Sequence, residues 1–388
     1  MKVCLIVPPR SYLLNPRALP NLGVLYIASA LQEHNCEVEI VDLAITSEIP
    51  EADVYGISAT TPDFHDAVNI ARNLDGKVVI GGVHAMLMPH ECATYFDTVA
   101  AGDEATVPKI LYEKGIVTGF LRNIDTYHPD RSLVDLWNYE FCIDGERATS
   151  MLTARGCIWN RCAFCSRTGK PIKFHSVEYV EDEIVDILNY GFRAIMVYDD
   201  EFFVHPRRDA EIVKLFKEYD VIWRCFGRAD FILKNKGLVE LAAKSGLREV
   251  LIGVESADDR ILQIIDKGTT VELNKKAIIF LHSLGVKVKA AMIVGLPGEN
   301  EESLQRMWKF CEEVENYVAD FDFSILVPYP GSKIWQNPEN YDIEFEKKYI
   351  AYKTIPGQYN CAVRTSSLSH ERLIEWRDKL EKRFKRRW

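Results

Sequence analysis

Cys157, Cys162 and Cys165 stand together in the run Ala154-Arg-Gly-Cys-Ile-Trp-Asn-Arg-Cys-Ala-Phe-Cys-Ser166. Three soft thiolate donors this close select an iron–sulfur cluster or zinc. Their odd number bears on the choice. A cubane cluster with three protein ligands keeps one iron open to bind and cleave something, whereas structural zinc needs a fourth ligand to close its tetrahedron. His175 is the candidate for that fourth ligand, so both readings stand at this point.

Such a site needs a scaffold that presents loops at one end of a sheet, and the hydrophobic pattern supplies one. Strands are predicted at Thr149–Ala154, Ala194–Tyr198, Ile222–Phe226, Glu249–Val254, Lys287–Val294 and Phe321–Val327. Helices fall between them, around Val180–Tyr190, Arg207–Tyr219, Asn235–Ser245, Val271–Leu284 and Glu301–Tyr317. Six β–α units read as a partial (β/α)6 TIM barrel over residues 148–330, open on one side. Chemistry in barrels sits at the C-terminal ends of the strands, and the cysteine run follows the first strand. The later strands end in Asp199-Asp200-Glu201-Phe202, Gly227-Arg228-Ala229-Asp230, Gly253-Val254-Glu255-Ser256, Ile293-Val294-Gly295-Leu296-Pro297-Gly298-Glu299 and Val327-Pro328-Tyr329-Pro330-Gly331-Ser332. Each has an ordinary reading as well. Carboxylates before a helix cap it, an arginine pairs with a barrel carboxylate, and glycine with proline turns a chain. Residues 331–388 are irregular and then helical (Ser369–Arg386), a C-terminal extension that could cover the barrel's open side.

Ahead of the barrel, residues 1–122 read as an N-terminal doubly wound parallel sheet of the Rossmann type. Its strands are Val3–Val7, Val38–Val41, Val54–Ser58, Val78–Ile80 and Thr98–Ala100, with helices Leu22–Glu33, Phe64–Leu74 and Ala105–Lys114. Ligands on such sheets bind outside the carboxyl ends of the strands. The loops there are Pro8–Leu19, Ser58–Asp63, Gly81–His84 and Gly102–Glu104. Residues 123–147 are polar, broken by Pro129, and read as an interdomain linker.

The chain of 388 residues has 47% hydrophobic and 27% charged residues, an ordinary globular composition. A net charge of −10 gives no general attraction to nucleic acid. The basic run Lys379–Trp388 suits either a solvated helix end or an acidic partner. The apolar run after Met1 is too short for a signal peptide, and no stretch reaches the roughly 20 apolar residues that span a bilayer. The remaining cysteines are scattered, which suits small buried hydrophobes and a reducing cytoplasm.

The barrel half resembles the radical S-adenosylmethionine superfamily, and residues 1–330 together resemble its cobalamin-binding branch. The superfamily's usual spacing is Cys-x-x-x-Cys-x-x-Cys, and here one extra residue separates Cys157 from Cys162. The resemblance implies that the three cysteines hold a 4Fe–4S cluster and that Phe164 packs near the adenine of S-adenosylmethionine. It places Asp200 and Glu201 near the amino group and Arg228 on the carboxylate. Glu255 and Ser256 fall to the ribose, and Gly295 with Pro297 to the adenine. In the first domain it implies a cobalamin contact surface at Pro9, Ser58, Gly81, Gly82, His84, Gly102 and Glu104. Asp63-Phe64-His65 imitates the Asp-x-His motif whose histidine binds cobalt, yet it follows the third strand instead of the first, and the first-strand loop has no histidine. Neither His65 nor His84 is therefore expected to ligate cobalt.

The expected activity is reductive cleavage of S-adenosylmethionine to methionine and a 5′-deoxyadenosyl radical, which takes hydrogen from an unactivated carbon. Cobalamin-dependent methylation of that carbon is the first outcome. The alternative is a radical rearrangement, cyclisation or oxidation beside a degenerate cobalamin domain, and a non-catalytic cluster or cobalamin sensor is more remote. The implied partners are a small-molecule or peptide substrate and an electron donor such as flavodoxin or ferredoxin, with neither membrane nor nucleic acid.

Overall fold

The computed structural model describes residues 1–166, 171–345 and 363–386. They fall into two compact units, Met1–Phe141 and the part that begins at Cys142. The first unit is a six-stranded sheet: β1 Lys2–Val7, β2 Glu37–Asp42, β3 Val54–Ser58, β4 Lys77–Gly81, β5 Thr98–Ala100 and β6 Gly115–Val117, in the order β2-β1-β3-β4-β5-β6. All neighbours are parallel. The two-residue period of β1 explains the double winding. Val3, Leu5 and Val7 join a core with Val24, Ala28 and Leu31 of the helix Leu22–Glu33. Cys4 and Ile6 point the other way, to a core with Phe64 and Val68 of the helix Phe64–Ala71.

Strand β6 begins directly after the helix predicted over Ala105–Lys114 and is not expected from the sequence. That helix is only a 3₁₀ turn, Glu104–Thr106, followed by Val107–Ile110. Lys77 Nζ takes the carbonyls of Ile110 and Glu113, each at 2.7 Å, and Thr98 Oγ1 also donates to Glu113 O. The carbonyls that would propagate the helix are therefore held by the sheet. Residues 123–141 cluster with the first unit in three short 3₁₀ turns. Tyr139 there donates its hydroxyl to Asp42 at 3.0 Å.

The second unit opens with an antiparallel hairpin, β7 Cys142–Ile143 and β8 Glu146–Met151. Its turn, Asp144-Gly145, has both φ values positive (52° and 85°), the geometry that favours Asp-Gly in two-residue hairpins. Next comes a short antiparallel pair, β9 Ala154–Arg155 with β10 Lys173–Phe174. Then follow β11 Ala194–Val197, β12 Ile222–Gly227, β13 Leu247–Glu255, β14 Lys287–Val294 and β15 Asp320–Ile325. The sheet order is β15-β14-β13-β12-β11-β8-β7, parallel from β8 to β15 and unclosed. This is the partial (β/α)6 barrel. The first barrel strand stops at Met151, short of the predicted Ala154. The backbone N–H groups of Thr153 and Ala154 leave the ladder for the Asp199 carboxylate, at 2.6 and 3.0 Å.

Helices alternate with these strands, and Trp223 of β12 packs at 4.8 Å, tilted, against Phe216 of the helix Pro206–Glu218. The C-terminal helix His370–Phe384 seats Phe384 between Trp308 (5.0 Å) and Phe321 of β15 (5.8 Å). No helix among the described residues is long and apolar enough to cross a membrane.

Candidate active site

The cysteine loop leaves β8 and is anchored to the segment after β13. Ala163 N–H donates to Ile265 O at 2.8 Å, and Trp159 Nε1 to Asp266 O at 2.7 Å. Arg161 pairs with Asp266 at 3.1 Å, and Lys333 Nζ reaches Arg161 O at 2.9 Å. Asn160 takes φ of 39°, a left-handed position that asparagine tolerates. Cys157 and Cys165 are half-buried and Cys162 is buried. Burial pushes the Cys162 thiol up, while the charges of Lys267 and Arg228 pull against it. Among the described residues no three His, Cys, Asp or Glu side chains are gathered as a metal cage. His175, the candidate fourth ligand, is buried and stacks at 4.0 Å on Tyr179.

At the strand ends beside this loop the polar groups are buried and close. Asp199 accepts from Thr153 Oγ1 at 2.6 Å and from two backbone N–H groups, and burial still raises its carboxyl to about 7. Asp200 is only half-buried. Glu201 is buried, is raised to about 8 by burial, and has no partner at Oε1. Arg228, expected on a carboxylate of S-adenosylmethionine, forks onto Asp230 at 3.1 and 3.2 Å and donates to Lys267 O at 2.7 Å.

Glu255 ends β13 at φ of 65° and is paired at 2.7 Å with Lys267, both buried. Gly253 makes room for this pair, because a Cβ there would lie 2.3 Å from Glu255 Oε1 and 2.7 Å from Lys267 Nζ. Burial lowers the Lys267 ammonium, but Glu255 and Cys162 outweigh it and its pKa is raised. Phe164 lies with its ring 6.0 Å from Lys267 Nζ. Ser256 is buried with Oγ unpartnered. Gly295 (φ 90°) donates its N–H to Glu299, which burial raises to about 8, and Pro297 is buried in the same turn.

The donor set therefore fits the implied groups. Three thiols on one loop suit a cluster with an open iron. Glu201 Oε1 and Ser256 Oγ are buried polar atoms still lacking partners, which an ammonium and a ribose hydroxyl would satisfy. Sequence reasoning assigned no role to Lys267, Trp159 or Glu299. A Lys-Gly pair and an indole inside a ligand loop were visible signals, but the indole's partners, Asp266 and Gly268, lie more than a hundred residues further along the chain.

In the first unit Pro9, Ser58, Gly81 and Gly102 stand at the ends of β1, β3, β4 and β5, which are adjacent in the sheet. The order reverses between β1 and β3, the switch point where such sheets take ligands. Asp63 beside it accepts from Thr60 Oγ1 at 2.6 Å, is raised to about 6 by burial, and has Oδ1 unpartnered. The loop glycines are needed for chain approach. A Cβ at Gly82 (φ 90°) would lie 2.7 Å from Ala59 O, and one at Gly102 2.1 Å from Gly119 O. Glu104 is buried. His84 is turned inward, its ring tilted against Phe64 at 4.1 Å and bonded through Nδ1 to Thr61 Oγ1 at 3.1 Å, with Glu91 3.5 Å from Nε2. A buried acceptor at the switch point is one that the amides of a corrin could satisfy.

Residues 151–311 match the radical SAM superfamily and residues 17–111 match the B12 binding domain. The chain is 28% identical to an uncharacterized methyltransferase of Pyrococcus horikoshii, over 92% of this chain and 87% of that protein. It is 25% identical to the anaerobic magnesium-protoporphyrin IX monomethyl ester cyclase of Rubrivivax gelatinosus, over 82% of this chain and 66% of the cyclase. It superposes on the radical S-adenosylmethionine methyltransferase TsrM of Kitasatospora setae, solved with cobalamin and a 4Fe–4S cluster. That superposition has a TM-score of 0.72 at 14% identity, over 97% of this chain and 88% of TsrM. At that identity the likeness is one of fold.

Proposed function

This chain belongs to the radical S-adenosylmethionine superfamily and carries a B12-binding domain ahead of its barrel, and from that premise we infer that it methylates an unactivated carbon. When bound, the cluster supplies the electron that cleaves S-adenosylmethionine and cobalamin supplies the methyl group. Cys157, Cys162 and Cys165 hold the cluster. Glu201 and Asp200 take the ammonium of S-adenosylmethionine, Arg228 its carboxylate, Glu255 and Ser256 its ribose. Gly295, Pro297 and Phe164 frame the adenine. Pro9, Ser58, Gly81, Gly82, Gly102 and Glu104 form the surface for cobalamin, and His84 supports that surface from behind.

The observation that carries this reading is the position of Lys267. Its ammonium is paired with Glu255 at 2.7 Å and lies 6.0 Å from the ring of Phe164 in the cysteine loop. Cluster loop and ribose-side carboxylate are thus joined through one buried cation. The substrate is a small molecule or peptide, and a ferredoxin or flavodoxin delivers the electron. Similarity to a cyclase as well as to a methyltransferase supports a second reading, radical cyclisation or oxidation without methyl transfer.

Anaerobic reconstitution with iron and sulfide tests both. Wild-type protein given reductant and S-adenosylmethionine should release 5′-deoxyadenosine, and the Cys157→Ala, Cys162→Ala and Cys165→Ala variants should not. Release by any of the three would overturn the cluster assignment. Cobalt analysis of the same protein separates the two outcomes, since a first domain that never retains cobalamin excludes the methylation reading.

A further inference from the structure

The spacing Cys157-x4-Cys162 leaves one more residue in the loop than the usual three, and the structure shows where that length goes. Asn160 turns left-handed, and Trp159 is driven onto the segment that follows β13. Its indole fills the space over Gly268, where a Cβ would lie 2.1 Å from the ring. Gly268 itself has φ of 72°, a conformation that glycine adopts freely. The indole N–H is taken by Asp266 O at 2.7 Å. Two guanidinium groups face the ring, Arg161 at 4.9 Å and Arg228 at 4.7 Å from its centroid. Arg228 also donates to Lys267 O at 2.7 Å. One side chain in the cysteine loop therefore touches both neighbours of Lys267 and the arginine at the end of β12.

We propose that Trp159 is a positioning residue for S-adenosylmethionine: its indole, locked over Gly268, holds Arg228 and the Lys267 segment in fixed relation to Cys162. The inference rests on the cluster and S-adenosylmethionine reading above. Trp159 touches no reacting atom and acts through Arg228 and Lys267. The half-buried indole contributes through cation–π attraction, strongest for tryptophan and greater where water is excluded, and through its hydrogen bond. Without it the longer loop loses its hold on the strand ends, and small displacements of groups that orient a reactant carry large kinetic costs.

The test is a titration of reconstituted protein with S-adenosylmethionine, followed by the change in the electron paramagnetic resonance signal of the reduced cluster. Iron content and KM against kcat are measured alongside. Trp159→Ala should keep its iron, while the titration midpoint and the KM for S-adenosylmethionine rise by roughly tenfold or more. Gly268→Ala, which pushes a methyl group into the indole, should do the same. Trp159→Phe keeps a ring without the N–H and should fall between. Unchanged midpoints in iron-replete Trp159→Ala would overturn the proposal. If Trp159→Ala loses iron, Gly268→Ala and Trp159→Phe decide, and wild-type midpoints in both would overturn it. Wild-type protein that binds no cluster, or shows no response to S-adenosylmethionine, would overturn the functional reading itself.

Discussion

Lys267 and Glu255 meet at 2.7 Å with 6% and 7% of their surfaces exposed, twelve residues apart in sequence and joined across the end of one strand. Removing one partner of such a pair leaves an uncompensated buried charge. Lys267→Met should destabilise the protein by about 3–5 kcal/mol in denaturant unfolding. Glu255→Gln with Lys267→Met should recover most of that stability and still fail to form 5′-deoxyadenosine. Recovery of both would assign the pair a structural role alone.

Glu201 gives a pH dependence with a definite sign. Burial raises its carboxyl from 4.5 to about 8, so the folded state holds a proton that the unfolded state has lost. Its stabilising effect is complete below about pH 4.5 and disappears as pH rises to about 8. An ammonium placed against it favours the ionised form, so S-adenosylmethionine should bind more tightly as pH rises through 8 and should release a proton on binding. Calorimetry in buffers of different ionisation enthalpy measures that proton. Glu201→Gln should abolish the release, and an undiminished release would remove Glu201 from the ammonium site.

His84 is enclosed by Phe64, Thr61 and Glu91. Replacing it with alanine should lower stability by about 1–3 kcal/mol, since Thr61 Oγ1 loses its partner. The absorption spectrum of bound cobalamin should not change, and a lost axial nitrogen signal would make His84 a cobalt ligand.

Arg10 holds Asp42 at 2.5 Å at the end of β1, and Tyr139 donates to the same carboxylate. Arg10→Ala should destabilise by about 3–5 kcal/mol in thermal or denaturant melts. A loss below about 1 kcal/mol, the range of an exposed pair, would show that this pair does not tie Tyr139 and its segment to the sheet.

Several features were legible before any fold was in hand. The alternation of apolar runs and helical stripes located the first unit's first five strands and all six parallel strands of the barrel, because each buries a two-sided or helix-covered face. Cys157, Cys162, Cys165 and the strand-end motifs carrying Glu201, Arg228, Glu255 and Gly295 were also readable, since their types and order are local. Strand β6 was not, because three edge residues make no period and the helix before it is ended by Lys77 and Thr98 from other strands. The hairpin turn at Asp144-Gly145 carried a readable signal that the polar composition around it obscured.

By itself, the sequence determined a doubly wound sheet ahead of an open barrel, with a cysteine loop after the first barrel strand. Those follow from hydrophobic period and residue spacing, which act over a few residues at a time. Only the tertiary structure decided that Arg228 forks onto Asp230 and reaches the Lys267 carbonyl, that Glu255 is matched by Lys267, and that Trp159 spends the loop's extra residue on Gly268. These contacts pair groups that are ordinary in isolation. Their energies depend on which strand ends become neighbours and on how completely water is removed between them.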